Sequence, residues 1–264
     1  MPYAVKIPIV RKQSWGDYHL FRFQAPEMAA AARPGQFVMI RPGESTAPLL
    51  RRPISIHGRD RGALEIFFQV AGEGTALLAR RKAGDTFDVL GPLGRGFDLD
   101  APLDGKTACL LGGGRGIAPL YFLALELADR GALVKVLYGG RTADDLPVRD
   151  RFEEAGLELA CSTDDGSFGF PGLVTGLLET EIPVRRPDFL FVCGPDPMMK
   201  AAAGLASRFR IPAQISLESV MGCGFGACWG CVRRIKRAGA EAWRKICEDG
   251  PVFPAEDIVW EGWK

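Results

Sequence analysis

The chain has 264 residues, 47% of them hydrophobic, with 33 glycines and 19 prolines, enough for a sizeable core and better suited to two domains than to one. The 33 Lys and Arg against 32 Asp and Glu leave a net charge of +1, which argues against electrostatic capture of nucleic acid or anionic lipid. The opening MPYAVKIPIVRKQ lacks the unbroken apolar run of a secretory signal, and no segment approaches membrane-spanning length, so a cytoplasmic protein is expected.

Residues 1 to about 100 read as β structure interrupted by Gly and Pro. Apolar runs at Phe37–Ile40, 54–56, 64–70 and 86–90 alternate with turns such as Arg33-Pro34-Gly35 and Gly91-Pro92-Leu93-Gly94. This spacing predicts a small antiparallel barrel. Good helix formers over 76–80 predict a short helix after Gly74-Thr75. From about residue 105 the rhythm changes: a buried-type strand over 107–111 runs into Gly112-Gly113-Gly114-Arg115-Gly116, then a helix over 118–130 and a strand over 133–138. Further strands are predicted at 157–161 and Phe189–Cys193, with helices at 173–179 and 197–208. Strand–helix alternation implies a parallel sheet covered on both faces. The last fifty residues return to loops. The expected architecture is an N-terminal antiparallel β-barrel (1–102), a central α/β nucleotide-binding domain (103–215) and a C-terminal loop-rich 2Fe–2S segment (216–264).

Of seven cysteines, Cys109, Cys161 and Cys193 stand alone in apolar surroundings, whereas Cys223, Cys228, Cys231 and Cys247 give the spacing C-x4-C-x2-C-x15-C. That is the plant-type 2Fe–2S arrangement, three thiolates from one loop and a fourth from further on. Gly222, Gly224, Gly226 and Gly230 permit the tight turns that aim backbone N–H groups at negatively charged sulfurs. Structural zinc favours two separated C-x2-C pairs, and here there is one.

A one-electron cluster joined to hydride chemistry needs a converter, and flavin is one. Arg52 of Arg51-Arg52-Pro53-Ile54-Ser55 can pair with a pyrophosphate, Gly74-Thr75 opens the short helix, and Ser55 can hydrogen-bond a flavin ring. Read alone, Arg-Pro on a strand is more often a solvated edge residue beside a turn. The Gly112–Gly116 loop stands between strand and helix, where it fits either phosphate or a plain turn; it is not G-x-G-x-x-G. Cys193-Gly194-Pro195 closes a strand at the same sheet edge, where open α/β sheets bind ligands.

Taken in order, these features resemble the ferredoxin–NADP reductase superfamily, and more closely the electron-transfer subunits of two-subunit, NAD-dependent (class 1B) dihydroorotate dehydrogenases. Arg52-Pro-Ile-Ser55, Gly91–Phe97, Gly112–Leu120, Thr163–Ser167, Cys193-Gly-Pro195, Met221–Val232 and Cys247–Phe253 carry the resemblance. It implies FAD held by Arg52, Pro53, Ile54, Ser55, Phe67, Phe68, Gln69, Gly74 and Thr75. It implies NAD over Gly112, Gly113, Gly114, Gly116, Cys193, Gly194 and Pro195, and a 2Fe–2S cluster on Cys223, Cys228, Cys231 and Cys247. The implied partner is an FMN-containing subunit that oxidises dihydroorotate, in a heterotetramer with two copies of each. Two positions depart from the superfamily: Ile54 stands where Tyr is common, and Arg115 where Ile or Thr is usual. A similar relay serving a sulfite reductase or hydrogenase fits the same motifs; the transhydrogenase branch usually has Asp at the place of Cys223. The rivals of another class are a cluster-based redox sensor and a zinc-stabilised binding module. Asp164 or Asp165 would accept a hydrogen bond from a ribose hydroxyl and repel a 2′-phosphate, which predicts NAD(H) over NADP(H).

Overall fold

The computed structural model describes residues 3–44, 46–237 and 239–260. The barrel is built from β1 (Tyr3–Trp15), β2 (Tyr18–Gln24), β3 (Phe37–Ile40), β4 (Arg52–Asp60), β5 (Ala63–Gln69) and β6 (Thr86–Leu93), with α1 (Pro26–Ala31) and α2 (Glu73–Ala79) in its connections. It closes in the order β1-β2-β5-β4-β3-β6, which removes exposed sheet edges. Its core is aromatic: Phe21 stacks on Phe68 at 5.9 Å and meets Phe87 edge-on at 5.2 Å.

The second unit contains β7 (Thr107–Gly113), α3 (Ala118–Asp129), β8 (Leu133–Gly140), α4 (Arg149–Glu154), β9 (Glu158–Thr163), β10 (Phe170–Pro171), α5 (Val174–Val184), β11 (Phe189–Cys193), α6 (Asp196–Phe209) and β12 (Ala213–Ser216). The sheet order is β10-β9-β8-β7-β11-β12, all parallel. Helices α3 and α4 share one core with the sheet, and α5 and α6 share the other. Helix α3 is apolar nearly all round because it is covered twice. Its Leu120, Leu123 and Leu127 pack with the sheet, while Phe122 joins the barrel core.

The barrel and the sheet domain meet at a polar knot within this apolar seam. His57 of β4 stacks on Tyr121 at 4.9 Å, and Arg151 of α4 lies 4.4 Å over the same ring while pairing with Glu65 of β5 at 2.6 Å. The His57 Nδ1–H donates to the Ala118 carbonyl at 2.8 Å, which leaves Nε2 buried without a partner.

The last fifty residues, read as loops, contain more structure than that. A hairpin of β13 (Val232–Arg237) and β14 (Ala240–Lys245) precedes the single turn α7 (Ile246–Asp249), and β15 (Val252–Pro254) adds to the sheet antiparallel to β12.

Candidate functional site

The carboxyl ends of β7, β8, β9 and β11 open into a cleft of about 520 Å³. Gly113, Gly114, Gly116, Asp164, Gly194 and Pro195 line it, and Tyr18 and Gln69 of the barrel form the opposing wall. Gly112 lies beneath rather than in the wall, packed on Ile117. At Gly116 a β-carbon would strike the Cys193 carbonyl, so only glycine lets the loop after β7 seat against the Cys193-Gly194 turn. Asp164 and Asp165 separate in role. Asp165 accepts from the Ser167 amide at 2.9 Å and its hydroxyl at 2.6 Å, and these bonds hold its carboxyl below the usual range. It is the turn; Asp164 is the residue in the cleft.

A second cleft of about 530 Å³ lies beside the first. Pro53, Ile54, Ser55, Phe67, Phe68, Gln69, Thr75, Cys193, Gly194 and Pro195 line it, together with Phe37 and Met221. Arg52 and Gly74 stand together just outside that lining: Arg52 Nη1 donates to the Leu50 carbonyl at 2.5 Å, and its guanidinium lies where a β-carbon on Gly74 would be. Gln69, Arg115, Gly194, Pro195 and Glu218 line both clefts, so a group bound in one touches the boundary of the other. Burial drives the Cys193 thiol far up, and it is inert as a nucleophile.

The four clustered cysteines form two pairs. Cys231 and Cys247 stand with sulfurs 3.2 Å apart, and Cys223 shares a hydrogen bond with Cys228. Backbone N–H groups point at the sulfurs: Gly226 to Cys247 at 3.2 Å, Gly230 to Cys228 at 3.4 Å and Cys247 to Cys231 at 3.5 Å. Burial opposes ionisation of Cys223, but amides of Phe225, Cys228 and Ala227 and the Cys228 thiol outweigh it and bring the thiol down to about 6. Burial, reinforced by Cys231, pushes Cys247 up to about 12. Among the described residues no three of His, Cys, Asp or Glu gather around one point as a single ion requires. Two thiol pairs in one segment, with backbone amides aimed at their sulfurs, fit the donor chemistry of a binuclear iron–sulfur cluster. Lys245 braces the loop, donating to the Gly226 carbonyl at 3.0 Å, pairing with Glu248 and lying 4.8 Å over Trp229.

This thiol loop rests on the barrel. A β-carbon on Gly224 would strike Met39 of β3, and Phe37, Met39 and Leu93 share one apolar core with Met221, Cys231 and Cys247. Phe37 and Met221 also line the second cleft, so the two sites have a common wall. Cys228 is exposed, as are its chain neighbours Phe225 (53% exposed) and Trp229 (58%).

Sequence reasoning missed Tyr18, Asp145 and Glu218. Tyr18 stacks on Phe67 at 5.8 Å and donates to Asp145 Oδ1 at 2.8 Å across the seam. Burial first, and Asp145 second, raise its phenol. Arg141 lies 3.5 Å from the other oxygen of Asp145. No local pattern marks these residues, because their partners are distant in the chain.

Comparison with known proteins matches residues 218–259 to the iron-sulfur cluster binding domain of dihydroorotate dehydrogenase B and residues 110–204 to an oxidoreductase NAD-binding domain. A dihydroorotate dehydrogenase B (NAD(+)) electron transfer subunit of Desulforamulus reducens is 42% identical over 92% of this chain and 93% of its own length. That of Geobacillus thermodenitrificans is 46% identical over 88% and 89%. Among solved structures, one reported with insights into flavin-based electron bifurcation, of an NADH-dependent reduced ferredoxin-NADP oxidoreductase, aligns with a TM-score of 0.84 at 33% identity, covering 99% of this chain and 92% of that one. A ferredoxin NADP+ reductase from Neisseria gonorrhoeae with bound FAD and NADP shares the fold, at a TM-score of 0.65 and 21% identity over 78% of this chain and 91% of that one.

Proposed function

The chain belongs to the family of dihydroorotate dehydrogenase B electron-transfer subunits, and from that premise we propose how its own residues carry the relay. The protein is an oxidoreductase subunit of pyrimidine biosynthesis that passes electrons from a partner flavoenzyme, which converts dihydroorotate to orotate, through a 2Fe–2S cluster and FAD to NAD+. Bound flavin supplies the exchange between single electrons and hydride.

In this reading the second cleft takes the flavin. Arg52 neutralises the pyrophosphate beside Gly74 and Thr75, Ser55 and Gln69 offer polar contacts, and Ile54, Phe67 and Phe68 shield the ring from water. The first cleft takes the nicotinamide nucleotide, with phosphate on Gly113, Gly114 and Gly116, ribose toward Asp164, and the ring over Gly194-Pro195. Gly112 and Cys193 support these walls from beneath. Cys223, Cys228, Cys231 and Cys247 would hold the cluster, and the loop amides would stabilise their thiolates. The exposed Phe225 and Trp229 of the thiol loop face the FMN-containing partner, in an assembly of two copies of each. The functional units are 1–102, 103–215 and 216–264, of which residues 1–2, 45, 238 and 261–264 lie outside the described residues. We place the chain in the cytoplasm, where free thiols stay reduced; none of the described helices is long and apolar enough to cross a membrane.

The observation that carries this reading is continuity. One set of residues borders both clefts, and the thiol loop shares the wall of the second. Native purification tests it. An FMN-containing dihydroorotate oxidase should accompany the chain, and the complex should reduce NAD+ with dihydroorotate. The isolated chain should pass electrons from NADH only to artificial acceptors. A native complex with another enzyme, inactive on dihydroorotate, would overturn it.

A further inference from the structure

At the boundary between the two clefts, Arg115 of the Gly-rich loop pairs with Glu218 at 3.3 Å. The two residues are 103 positions apart in the chain, one on the nucleotide loop and the other at the start of the cluster segment. Each side chain is about half exposed, 51% for Arg115 and 46% for Glu218, so water screens the pair and it is easily exchanged. The main chain at Glu218 is held where Arg233 Nη2 donates to its backbone carbonyl at 3.4 Å. Arg115 stands on a loop whose Gly113, Gly114 and Gly116 already form the cleft wall, within reach of whatever that wall binds.

Resting on the nucleotide reading of the first cleft, we infer that Arg115 is an affinity-setting residue that leaves Glu218 for the dinucleotide pyrophosphate, with Glu218 as its built-in competitor. A pyrophosphate carries two negative charges and accepts a guanidinium bidentately, so it outbids a single half-solvated carboxylate. Glu218 opposes binding twice, by holding the cation and by placing an uncompensated negative charge at the cleft once the cation departs. Nucleotide binding thereby also frees a carboxylate at the root of the cluster segment.

The test is a titration of the FAD- and cluster-loaded chain with ADP-ribose, which carries the pyrophosphate but no nicotinamide and reads binding without turnover. Arg115→Ala should weaken binding about tenfold, and Arg115→Lys, which keeps the charge but not the fork, by less. Glu218→Gln should tighten binding at least threefold. That gain should shrink in the Arg115→Ala background, because the competitor then has no cation to hold and only its own charge still opposes the pyrophosphate. Flavin content and cluster absorbance of each variant report that the fold is intact. Wild-type protein that binds ADP-ribose while Arg115→Ala binds equally well, or Glu218→Gln binds no tighter, overturns the inference alone. Failure of the wild type to bind ADP-ribose overturns the nucleotide reading and the inference with it.

Discussion

The seam between barrel and sheet domain and the segment holding the thiols are stabilised in opposite ways. At the seam, His57, Tyr121, Phe122 and Phe152 are buried by the chain's own packing, and helix α3 is covered on both sides. In the thiol segment, Val220, Phe225, Trp229 and Trp243 remain exposed, and the inner residues Met221, Cys231, Ile246 and Cys247 lean on a core supplied by the rest of the molecule. The first region carries its own hydrophobic stabilisation; the second is organised around four sulfurs and the group they hold. The nucleotide cleft should therefore keep its shape without the metal, and the thiol loop should not.

The largest expected effect breaks only the second region. Cys228→Ser should abolish the 2Fe–2S absorbance and the reduced-state EPR signal, while NADH still reduces the flavin. Hydrogen exchange should then rise across 217–259 and stay low in the barrel. Cys161→Ser should change neither spectrum, since that thiol is buried and pushed up to about 11. Loss of the cluster in Cys161→Ser with retention in Cys228→Ser would reverse the ligand assignment.

The cleft assigned to the flavin lies between the two regions, with the charge of Arg52 just outside its edge. A charge-assisted contact to pyrophosphate contributes about 1.5–3 kcal/mol, so Arg52→Ala should weaken FAD retention roughly tenfold or more. Dialysis followed by flavin absorbance measures it. Undiminished occupancy would count against the role of Arg52, and FMN in place of FAD against the whole cleft.

The same contrast explains what was readable in the sequence. Barrel and sheet announced themselves because their strands bury apolar side chains at short range, and the predicted strands at Phe37–Ile40 and Phe189–Cys193 coincide with β3 and β11. The thiol spacing was equally plain. The β13–β14 hairpin escaped because more than half the positions of Val232–Arg237 and Ala240–Lys245 are charged and the pair buries mainly Ile235. Strand β15 escaped because three residues, Val252–Pro254, show no period at all. Tyr18, Asp145 and Glu218 were invisible for a different reason, since each acts through a partner about a hundred residues or more away.

The seam makes its own prediction, in pH. His57 is neutral when folded because burial, helped by the positive charge of Arg151, brings its pKa down to about 3 against the opposing Ala118 bond. The unfolded chain takes up a proton near pH 6.5, and the folded one does not. This site therefore costs nothing above pH 6.5 and destabilises increasingly as pH falls toward 3, by about 2 kcal/mol at pH 5. Urea unfolding of wild type and His57→Asn at pH 7.5 and pH 5 isolates the effect, because the variant cannot titrate there. An equal loss in both proteins would show that His57 contributes none of it.

The smallest effect expected concerns which nicotinamide the first cleft prefers, and here the structure sharpens the choice between two adjacent carboxylates. Asp165 is committed to its own turn through Ser167, whereas Asp164 borders the cleft. A like-charge contact with a 2′-phosphate in a partly desolvated site costs on the order of 1.4 kcal/mol, a factor of ten in favour of NADH. Arg141 is the opposing charge in the same wall, exposed but paired with Asp145 at 3.5 Å, and Asp145 is held in turn by Tyr18. Arg115 pairs at the other end, with Glu218, and is assigned to the pyrophosphate. The preference should therefore rest on Asp164 set against Arg141. Steady-state reduction of an artificial acceptor should give a kcat/KM for NADH about tenfold above that for NADPH. Asp164→Asn should narrow the ratio, and Asp145→Asn, which frees Arg141, should narrow it too. A wild-type preference for NADPH would mean that Arg141 reaches the phosphate despite Asp145, and that Asp164 does not face the ribose.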